Sequence, residues 1–400
     1  MTFDIVQLCD IDIDVIDGDR GKNYPHQDEL LGTGYCLFLS AKNVTQNGFL
    51  FADNQFITQE KDELLNKGKL KRGDIVITTR GTVGNVAIYS EEVPYDNIRI
   101  NSGMLIIRCG NGIDSYYLYQ VLRSKWFYNQ ILSIQSGSAQ PQLPKSHFLK
   151  MVIPIPDMNT QNKIAGILSS VGNKIALNTA INENLEQQAQ AIFKSWFVDF
   201  EPFGGVMPDY WQETTLGNVT DNIRTKIKNN STPVFSAVNS GNLVYSDEYF
   251  NKQVYSKDIS KYIIVDNWNF AYNPARINIG SIGINDLGVI GCVSPVYVVF
   301  SVQAEYHSFF RFFFRQEAFK QQSLVRASGS VRQTLNYTDF SLIDIAYPTK
   351  EYAQKFDVIW KSYFSVIERL RKENEKLLEL RDSLLPKLMN GEIDVSKVRI

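Results

Sequence analysis

The sequence predicts an α+β protein in which two β-rich domains, arranged as a tandem pseudo-twofold repeat, are separated by two long antiparallel coiled-coil helices. Three observations lead to this prediction. The chain repeats itself at an offset of 192 residues, each half contains short β-branched runs around glycine turns, and each half ends in an apolar 4-3 repeat. A duplicated module indicates one task performed at two places, which points first to recognition and second to catalysis.

The repeat is clearest between residues 136–185 and residues 328–377, which align without gaps. Fourteen of these 50 pairs are identical, whereas average composition gives about 3 identities by chance. A Ser-Gly-Ser motif opens both copies, and an Asn-Glu pair lies near the end of both. The offset is close to half of the 400 residues, so the chain is a tandem duplication with room for more than one core.

Each half carries strand-like runs around a glycine turn. Arg80 stands four residues before Gly84, and Arg276 stands four residues before Gly280. The glycines of these segments, including Gly81, are predicted to form turns between neighbouring strands. The repeated spacing favours a shared structural role for the two turns.

Helical periodicity follows the strands in each half. Aromatic and aliphatic residues at helical spacing predict helices over 114–134 and 306–325. Residues 164–196 and 356–388 then alternate apolar spacings of four and three, which is typical of a coiled-coil seam. Each seam spans roughly 50 Å, a length that suits a spacer better than a core helix.

Asn182 and Asn374 occupy the same position in the two seams. A polar residue at a coiled-coil core position costs stability but fixes register and partner. The hypothesis is that the two helices pair antiparallel and that each asparagine helps to set the register. Two alternatives stay open: solvated seam residues, and amphipathic helices packed on their own domains.

Composition excludes several classes of protein. Hydrophobic residues make up 44% and charged residues 21%, as in ordinary globular proteins. No apolar run approaches the ~18 residues of a membrane span, and the acidic start lacks the basic region of a secretory signal. The four cysteines and three histidines are scattered without metal-ligand spacing. We expect a reduced cytoplasmic protein with buried thiols, without disulfides, a metal site or a membrane partner.

The net charge of −2 is low for a protein that binds nucleic acid, so its distribution matters. Residues 1–19 carry six acids and no bases, whereas residues 20–150 carry 15 bases and 11 acids. Any basic surface must therefore be assembled by folding or supplied in part by a partner.

Catalytic motifs were sought and are missing from the sequence. There is no GxxxxGK[ST] phosphate loop, and the Gly81-xx-Gly84 turn lacks the strand-to-helix context of a dinucleotide site. Asn273-Pro274-Ala275-Arg276 begins like a DNA-methylating motif but has neither the second proline nor the aromatic residue. No serine or cysteine sits in a nucleophile elbow. No catalytic residue is predicted.

Several segments, weak alone, are specific in combination. A β-rich module ends in Ser136-Gly-Ser-Ala-Gln-Pro-Gln-Leu143, and Pro154-Ile-Pro156 then precedes a helix that opens near Gln161 and closes in the stretch 191–200. Pro208-Asp-Tyr-Trp211 and the closing segment 380–393 complete the pattern in the second half. Together they resemble the specificity subunit of type I restriction–modification systems over nearly the whole chain.

The resemblance implies two target recognition domains, each reading one half of a bipartite, asymmetric site in double-stranded DNA. The helix pair sets the unspecified spacer between the halves. Two methyltransferase (modification) subunits bring S-adenosylmethionine, and restriction/translocase subunits bring ATP with Mg²⁺. The chain itself is then a non-enzymatic subunit that binds no cofactor.

On this basis the recognition domains are expected at 1–156 and 204–348, with the spacer helix regions at 157–203 and 349–400. Base edges are read by Arg, Gln and Asn side chains, while Lys and Arg meet phosphates. The candidate DNA-binding residues are Lys42, Lys69, Lys71, Arg72, Arg80, Thr82, Asn85, Ser136, Ser138, Gln140, Gln142, Arg276, Asn278, Ser281, Ser328, Ser330, Arg332 and Gln333.

Two other functions compete with this one. A coiled-coil scaffold that organises other proteins without touching DNA needs only the helices, so the duplicated β-rich modules count against it. A stand-alone DNA enzyme with an unrecognised site is the third possibility, and methylation by the chain alone would favour it.

Overall fold

The structure is a computed structural model of the 400-residue chain. The residues that it describes are 3–135, 142–228, 231–250, 254–327, 334–396 and 398. Two compact units make up the chain: unit 1 comprises Met1–Asn178 with Arg371–Ile400, and unit 2 comprises Thr179–Leu370. Each unit therefore contains one β-rich domain and parts of both long helices.

The strands of unit 1 are β1 (Asp4–Gln7), β2 (Ile13–Asp17), β3 (Cys36–Leu39), β4 (Val44–Thr45), β5 (Gly48–Phe49), β6 (Phe56–Ile57), β7 (Ile75–Thr78), β8 (Val86–Ile88), β9 (Ile98–Ile100), β10 (Met104–Cys109) and β11 (Val152–Ile155). The helices that begin in this unit are α1 (Gln59–Leu64), α2 (Ser115–Leu122), α3 (Lys125–Gln135), α4 (Lys145–Phe148) and α5 (Met158–Phe197).

The strands of unit 2 are β12 (Gln212–Thr215), β13 (Asp221–Ile223), β14 (Phe235–Ala237), β15 (Leu243–Tyr245), β16 (Ile263–Val265), β17 (Phe270–Tyr272), β18 (Ile282–Ile284), β19 (Gly291–Val293), β20 (Val298–Ser301) and β21 (Asp344–Tyr347). Its helices are α6 (Leu216–Val219), α7 (Ser246–Tyr249), α8 (His307–Phe313), α9 (Glu317–Arg326), α10 (Tyr337–Ser341) and α11 (Lys350–Met389).

The same sheet is built in both units. Its order is β2-β10-β7-β8 in unit 1 and β13-β20-β17-β18 in unit 2, with antiparallel neighbours throughout. A two-stranded ladder, β1-β11 or β12-β21, lies just before the long helix of each unit. In each unit the predicted glycine turn joins an interior strand to the edge strand, β7 to β8 in unit 1 and β17 to β18 in unit 2.

Two of the predicted helical stretches are each divided into two helices. The stretch 114–134 is interrupted after α2, because Ser124 Oγ accepts a hydrogen bond from Phe127 N (3.0 Å) and starts α3. The stretch 306–325 divides at the equivalent point into α8 and α9, where Gln316 caps α9 without a side-chain hydrogen bond. The break places α3 and α9 beside the glycine turns.

The two long helices are confirmed, and each contains 40 residues. Asp157 caps the first by accepting a hydrogen bond from Thr160 N (3.1 Å). Within unit 1 they run antiparallel, because Asn178 bonds to Asn374, whereas Lys163, which lies earlier on α5, bonds to the carbonyl of Ser396, which lies later in the chain than Asn374. The predicted antiparallel pairing is therefore present in this unit.

The two units fill equivalent sheets with different side chains. The main core of unit 1 is largely aliphatic, with Ile75, Ile77 and Leu105 on its central strands. The main core of unit 2 is aromatic, with Phe270 and Tyr272 on the equivalent strand. The shared topology therefore does not depend on one particular set of core residues.

Candidate nucleic-acid interface

The turn between β7 and β8 presents polar side chains at the edge of unit 1. Gly81 and Gly84 have φ of 73° and 92°, values that favour glycine, so the predicted turn formers are confirmed. Gly84 N donates to Thr78 O (2.9 Å) and closes the turn. Arg80 and Thr82 are exposed at its tip.

The turn between β17 and β18 has the same position in unit 2. Asn273 begins it by accepting a hydrogen bond from Ala275 N (3.1 Å), and Gly280 ends it with φ of 77°. Arg276 and Asn278 lie exposed between these two residues. Both turns therefore offer an arginine to solvent from equivalent edges of equivalent sheets.

A second segment of each unit reaches its turn through one backbone hydrogen bond. Leu143 N donates to Thr79 O (3.0 Å) in unit 1, and Leu335 N donates to Pro274 O (3.2 Å) in unit 2. Gln142 is exposed next to the first of these bonds. The segment that ends in Leu143 thus shares an edge with the Arg80 turn, and the segment that ends in Leu335 shares one with the Arg276 turn.

Most candidates on these two segments lie outside the described residues. They are Ser136, Ser138, Gln140, Ser328, Ser330, Arg332 and Gln333.

Two predicted contact residues are directed into the protein. Asn85 Nδ2 donates to Val44 O (2.9 Å), and the buried Ser281 Oγ donates to Ala237 O (2.9 Å). Val44 lies on β4 in the β4-β5 hairpin of unit 1, and Ala237 lies on β14 in the β14-β15 hairpin of unit 2. Asn85 and Ser281 therefore each bind a glycine turn to a hairpin of the same unit, which is a structural role.

The four basic residues predicted as a group have different surroundings. Lys42 is exposed on the turn Ala41–Asn43, and a Cβ on Gly81 would lie 3.7 Å from Ala41 Cβ, so Lys42 is close to the Arg80 turn. Lys71 is also exposed. Both retain surface positions from which an amine can reach a phosphate.

Lys69 and Arg72 are engaged inside unit 1. Lys69 Nζ pairs with the buried Asp62 carboxylate. Burial opposes ionisation of Asp62, but hydrogen bonds from Lys69 and Arg99 outweigh it and lower its pKa. Arg72 donates to Ser90 O (2.6 Å) and stabilises the loop after β8. These contacts give both residues a structural role that composition alone did not reveal.

A pair of half-buried arginines was missed by sequence reasoning. Arg123 Nη2 donates to Gln46 O (3.0 Å) in unit 1, and Arg315 Nη2 donates to Ser240 O (2.7 Å) in unit 2. Burial lowers the pKa of both guanidinium groups, that of Arg315 to about 10. Arg123 and Arg315 are related by the offset of 192, although they lie outside the aligned stretches 136–185 and 328–377. This identity between the two halves could have revealed the pair from the sequence.

The seam of the helix pair contains a polar layer in unit 1. Asn178 Nδ2 donates to Asn374 Oδ1 (2.9 Å) and to Glu373 Oε2 (3.0 Å), and Lys174 Nζ lies 3.6 Å from the same glutamate. Asn374 therefore lies at the interface of the two helices in unit 1. Its partner is Asn178, a residue within the seam at 164–196 for which no role in register was predicted.

Asn182 lies one turn further along α5, in unit 2. It is half-buried, and its Oδ1 has no hydrogen-bond partner among the described residues. The two asparagines predicted as equivalent thus have different surroundings.

Metal-ligating side chains do not cluster in the part of the chain that the structure describes, where no group of three or more His, Cys, Asp or Glu residues could hold an ion. The four cysteines are free thiols. Among the described helices, none is both long and apolar enough to cross a membrane.

Comparison with known proteins identifies the domain in the first half of the chain. Residues 2–187 match the model of the type I restriction modification DNA specificity domain. The first half is a type I DNA specificity domain. The internal repeat relates the second half of the chain to it.

Relatives align over most of the chain. It is 27% identical over 357 residues to the type I restriction enzyme MjaIX specificity subunit of Methanocaldococcus jannaschii, covering 82% of this chain and 79% of that one. It is 25% identical over 465 residues to the HindI specificity subunit of Haemophilus influenzae, covering 94% and 98%.

A solved structure shares the fold. The crystal structure of the type I restriction–modification S subunit from M. genitalium matches with a TM-score of 0.56 at 13% identity, covering 97% of this chain and 96% of that one. The predicted fold class, two β-rich domains joined by long coiled-coil helices, is therefore confirmed.

Proposed function

We propose that this chain supplies DNA sequence specificity to a type I restriction–modification complex, with each β-rich domain reading one half of a bipartite, asymmetric site. The observation that supports this proposal is that both units contain the same polar surface. In each unit a glycine turn is joined to a second segment by one backbone hydrogen bond, from Leu143 N in unit 1 and from Leu335 N in unit 2. We assign the recognition domains to residues 1–156 and 204–348.

The polar residues of the two edges divide into a frame and a variable surface. Asn85 and Ser281 bind neighbouring hairpins, as do Arg123 and Arg315. The exposed residues differ, with Arg80, Thr82 and Gln142 in the first domain and Arg276 and Asn278 in the second. Arginine suits guanine, whereas glutamine and asparagine suit adenine. Two unlike surfaces on one frame suit two unlike half-sites.

Within this proposal Arg80, Arg276, Gln142 and Asn278 are base-reading residues, and Lys42 and Lys71 are phosphate contacts. Phosphate contacts position a protein on the duplex but carry no sequence information directly. The remaining predicted contacts, Ser136, Ser138, Gln140, Ser328, Ser330, Arg332 and Gln333, are proposed from the sequence alone.

The helix regions 157–203 and 349–400 are proposed to set the spacer and to dock two modification subunits. Asn374 and Asn182, together with Asn178, would fix the register of the pair. Methylation with S-adenosylmethionine and ATP-driven translocation with Mg²⁺ belong to modification and restriction subunits in the prokaryotic cytoplasm. The chain itself is the specificity subunit and performs no catalysis.

The test is DNA binding by the chain assembled with its modification subunits. A duplex carrying the host's methylated motif should bind at least 10³-fold more tightly than a scrambled duplex of equal length, the lower end for specific DNA-binding proteins. Equal affinity for both duplexes would support the scaffold alternative and contradict the proposal. Methylation by the chain without partners would support the stand-alone enzyme.

A further inference from the structure

One helix position beside the glycine turn differs in chemistry between the two domains. In unit 1 this position is Tyr128 on α3. A Cβ placed on Gly84 would lie 3.0 Å from Tyr128 Cδ2 and Cε2, so the ring packs directly on the turn. Tyr128 is 42% exposed, so part of its side chain reaches the surface next to this turn.

The equivalent position in unit 2 is Lys320 on α9, at the offset of 192. Lys320 lines a cavity of about 340 Å³ together with Asn278, Ile279 and Gly280 of the turn. Phe314 and Phe319 contribute apolar walls to the same cavity. Lys320 and Tyr128 therefore each lie beside the glycine turn of their own domain. In the second domain the turn borders a cavity, whereas in the first domain the ring of Tyr128 packs on the turn.

The cations around this cavity are not equally available. Arg311 pairs with Asp286, and its side chain is 5% exposed. Arg315 is held by Ser240 O (2.7 Å) and lies 3.6 Å from Glu186. These two arginines are engaged inside the unit and belong to its frame.

Lys320 is the exposed cation of this group on the helix. Its side chain is 50% exposed, and Nζ lies 3.8 Å from Glu317 Oε2, one turn earlier on the same helix. A solvent-exposed pair at this distance contributes about 0–1 kcal/mol. The amine can therefore exchange this carboxylate for a phosphate at little cost.

We propose that Lys320 binds a backbone phosphate of the half-site read by the second domain, whereas Tyr128 contacts the first half-site without charge. This inference rests on the proposed function. The second half-site is then held by one ionic contact that the first lacks at the equivalent place. Asymmetry between the two domains thus extends from the base-reading loops to the contacts that position them.

The test is the salt dependence of binding by the complex with modification subunits, using a duplex with the mapped site. Each phosphate contact contributes about 0.9 to the slope of log K against log salt. Lys320→Gln should therefore make the slope shallower by about 0.9, so that the variant loses about 3.5-fold more affinity at 50 mM than at 200 mM NaCl. Tyr128→Lys should steepen the slope by a similar amount.

Lys261→Gln is the control. Lys261 is exposed and lies just before β16 of the same domain, and it is not among the residues that line the cavity. Its substitution should leave the slope unchanged. Equal slopes for Lys320→Gln and the unmodified complex would overturn the inference. Failure of the unmodified complex to distinguish its site from a scrambled duplex would instead overturn the proposed function.

Discussion

The two β-rich domains have the same strand order in their sheets, but they differ in the core residues that pack on the sheet and in the exposed residues of the glycine turn. Ile75 and Ile77 lie on the strand that leads to the first turn, whereas Phe270 and Tyr272 lie on its counterpart. Asn85 and Ser281 donate hydrogen bonds to a hairpin carbonyl of their own domain and so have equivalent structural roles, whereas the exposed polar residues of the two domains differ. Duplication has therefore preserved the frame through its hydrogen bonds, while core packing and the exposed edge have diverged.

The largest expected effect concerns the aromatic core of unit 2. Phe193 on α5 packs against Phe197, Phe309, Phe312 and Phe356, with ring centroids 4.9–6.0 Å apart. Phe193→Ala should lower the free energy of unfolding by about 3–5 kcal/mol, because it leaves a cavity among these rings. Urea unfolding followed by tryptophan fluorescence measures the loss.

Leu177 on the same helix provides the control, since it is 57% exposed. Leu177→Ala should change the free energy of unfolding by less than about 0.5 kcal/mol. Similar losses for the two variants would contradict the placement of the aromatic core.

The next largest effects are expected for the arginines of the two glycine turns, which test whether the exposed residues of each domain read different bases. Arg80→Ala and Arg276→Ala should each weaken binding to the mapped duplex by about 1–3 kcal/mol and relax base preference in one half-site only. Both side chains are exposed, so the midpoint of thermal unfolding should stay nearly unchanged. Fluorescence anisotropy with single-base variants of each half-site checks this. Relaxation of the same half-site by both substitutions would be incompatible with one half per domain.

The half-buried arginines Arg123 and Arg315 test the shared frame. Arg123→Met and Arg315→Met should each lower the free energy of unfolding by about 0.5–1.5 kcal/mol, because each loses a hydrogen bond to a hairpin carbonyl. Chemical denaturation of the two variants in parallel gives the comparison. Arg276→Ala, which removes an exposed arginine of the second turn, serves as the stability control. A large loss in one variant and none in the other would show that the frame is not shared.

The smallest expected effect lies in the helix seam. Asn178→Leu combined with Asn374→Leu should raise the free energy of unfolding by about 1 kcal/mol, since Asn178 Oδ1 is buried without a partner among the described residues. The register should become heterogeneous. Pulsed EPR between labels at Leu177 and Lys376, in a Cys9→Ser background, should then show a broadened distance distribution. One narrow distance, equal to that of the unmodified chain, would exclude a role in register.

The repeat and its periodicity were sufficient to predict the two domains, the glycine turns and the long helices. Helical spacing continues across Ser124, however, so only its capping hydrogen bond with Phe127 reveals the break before α3. Gly84 and Gly280 were predictable because few other residues adopt their backbone conformation.

The candidate site was less predictable, because partners remote in sequence decide which polar groups stay at the surface. Arg72 looks like part of a basic group, yet the carbonyl of Ser90 engages it. Ser281 looks like an exposed turn residue, yet the carbonyl of Ala237 draws it inward. Asn178 was overlooked because its counterpart in the repeat is Leu370, so identity between the copies gave no signal.

The central claim is that two different surfaces on one frame read the two halves of one DNA site. The most direct measurement is genome-wide mapping of methylated positions in cells that express this chain with its modification subunits. The cells would carry either the unmodified chain or a chain in which the first domain is replaced by that of a relative. The account predicts a bipartite, asymmetric motif in which the replacement changes one half and leaves the other intact. A continuous motif, or a replacement that alters both halves, would contradict it.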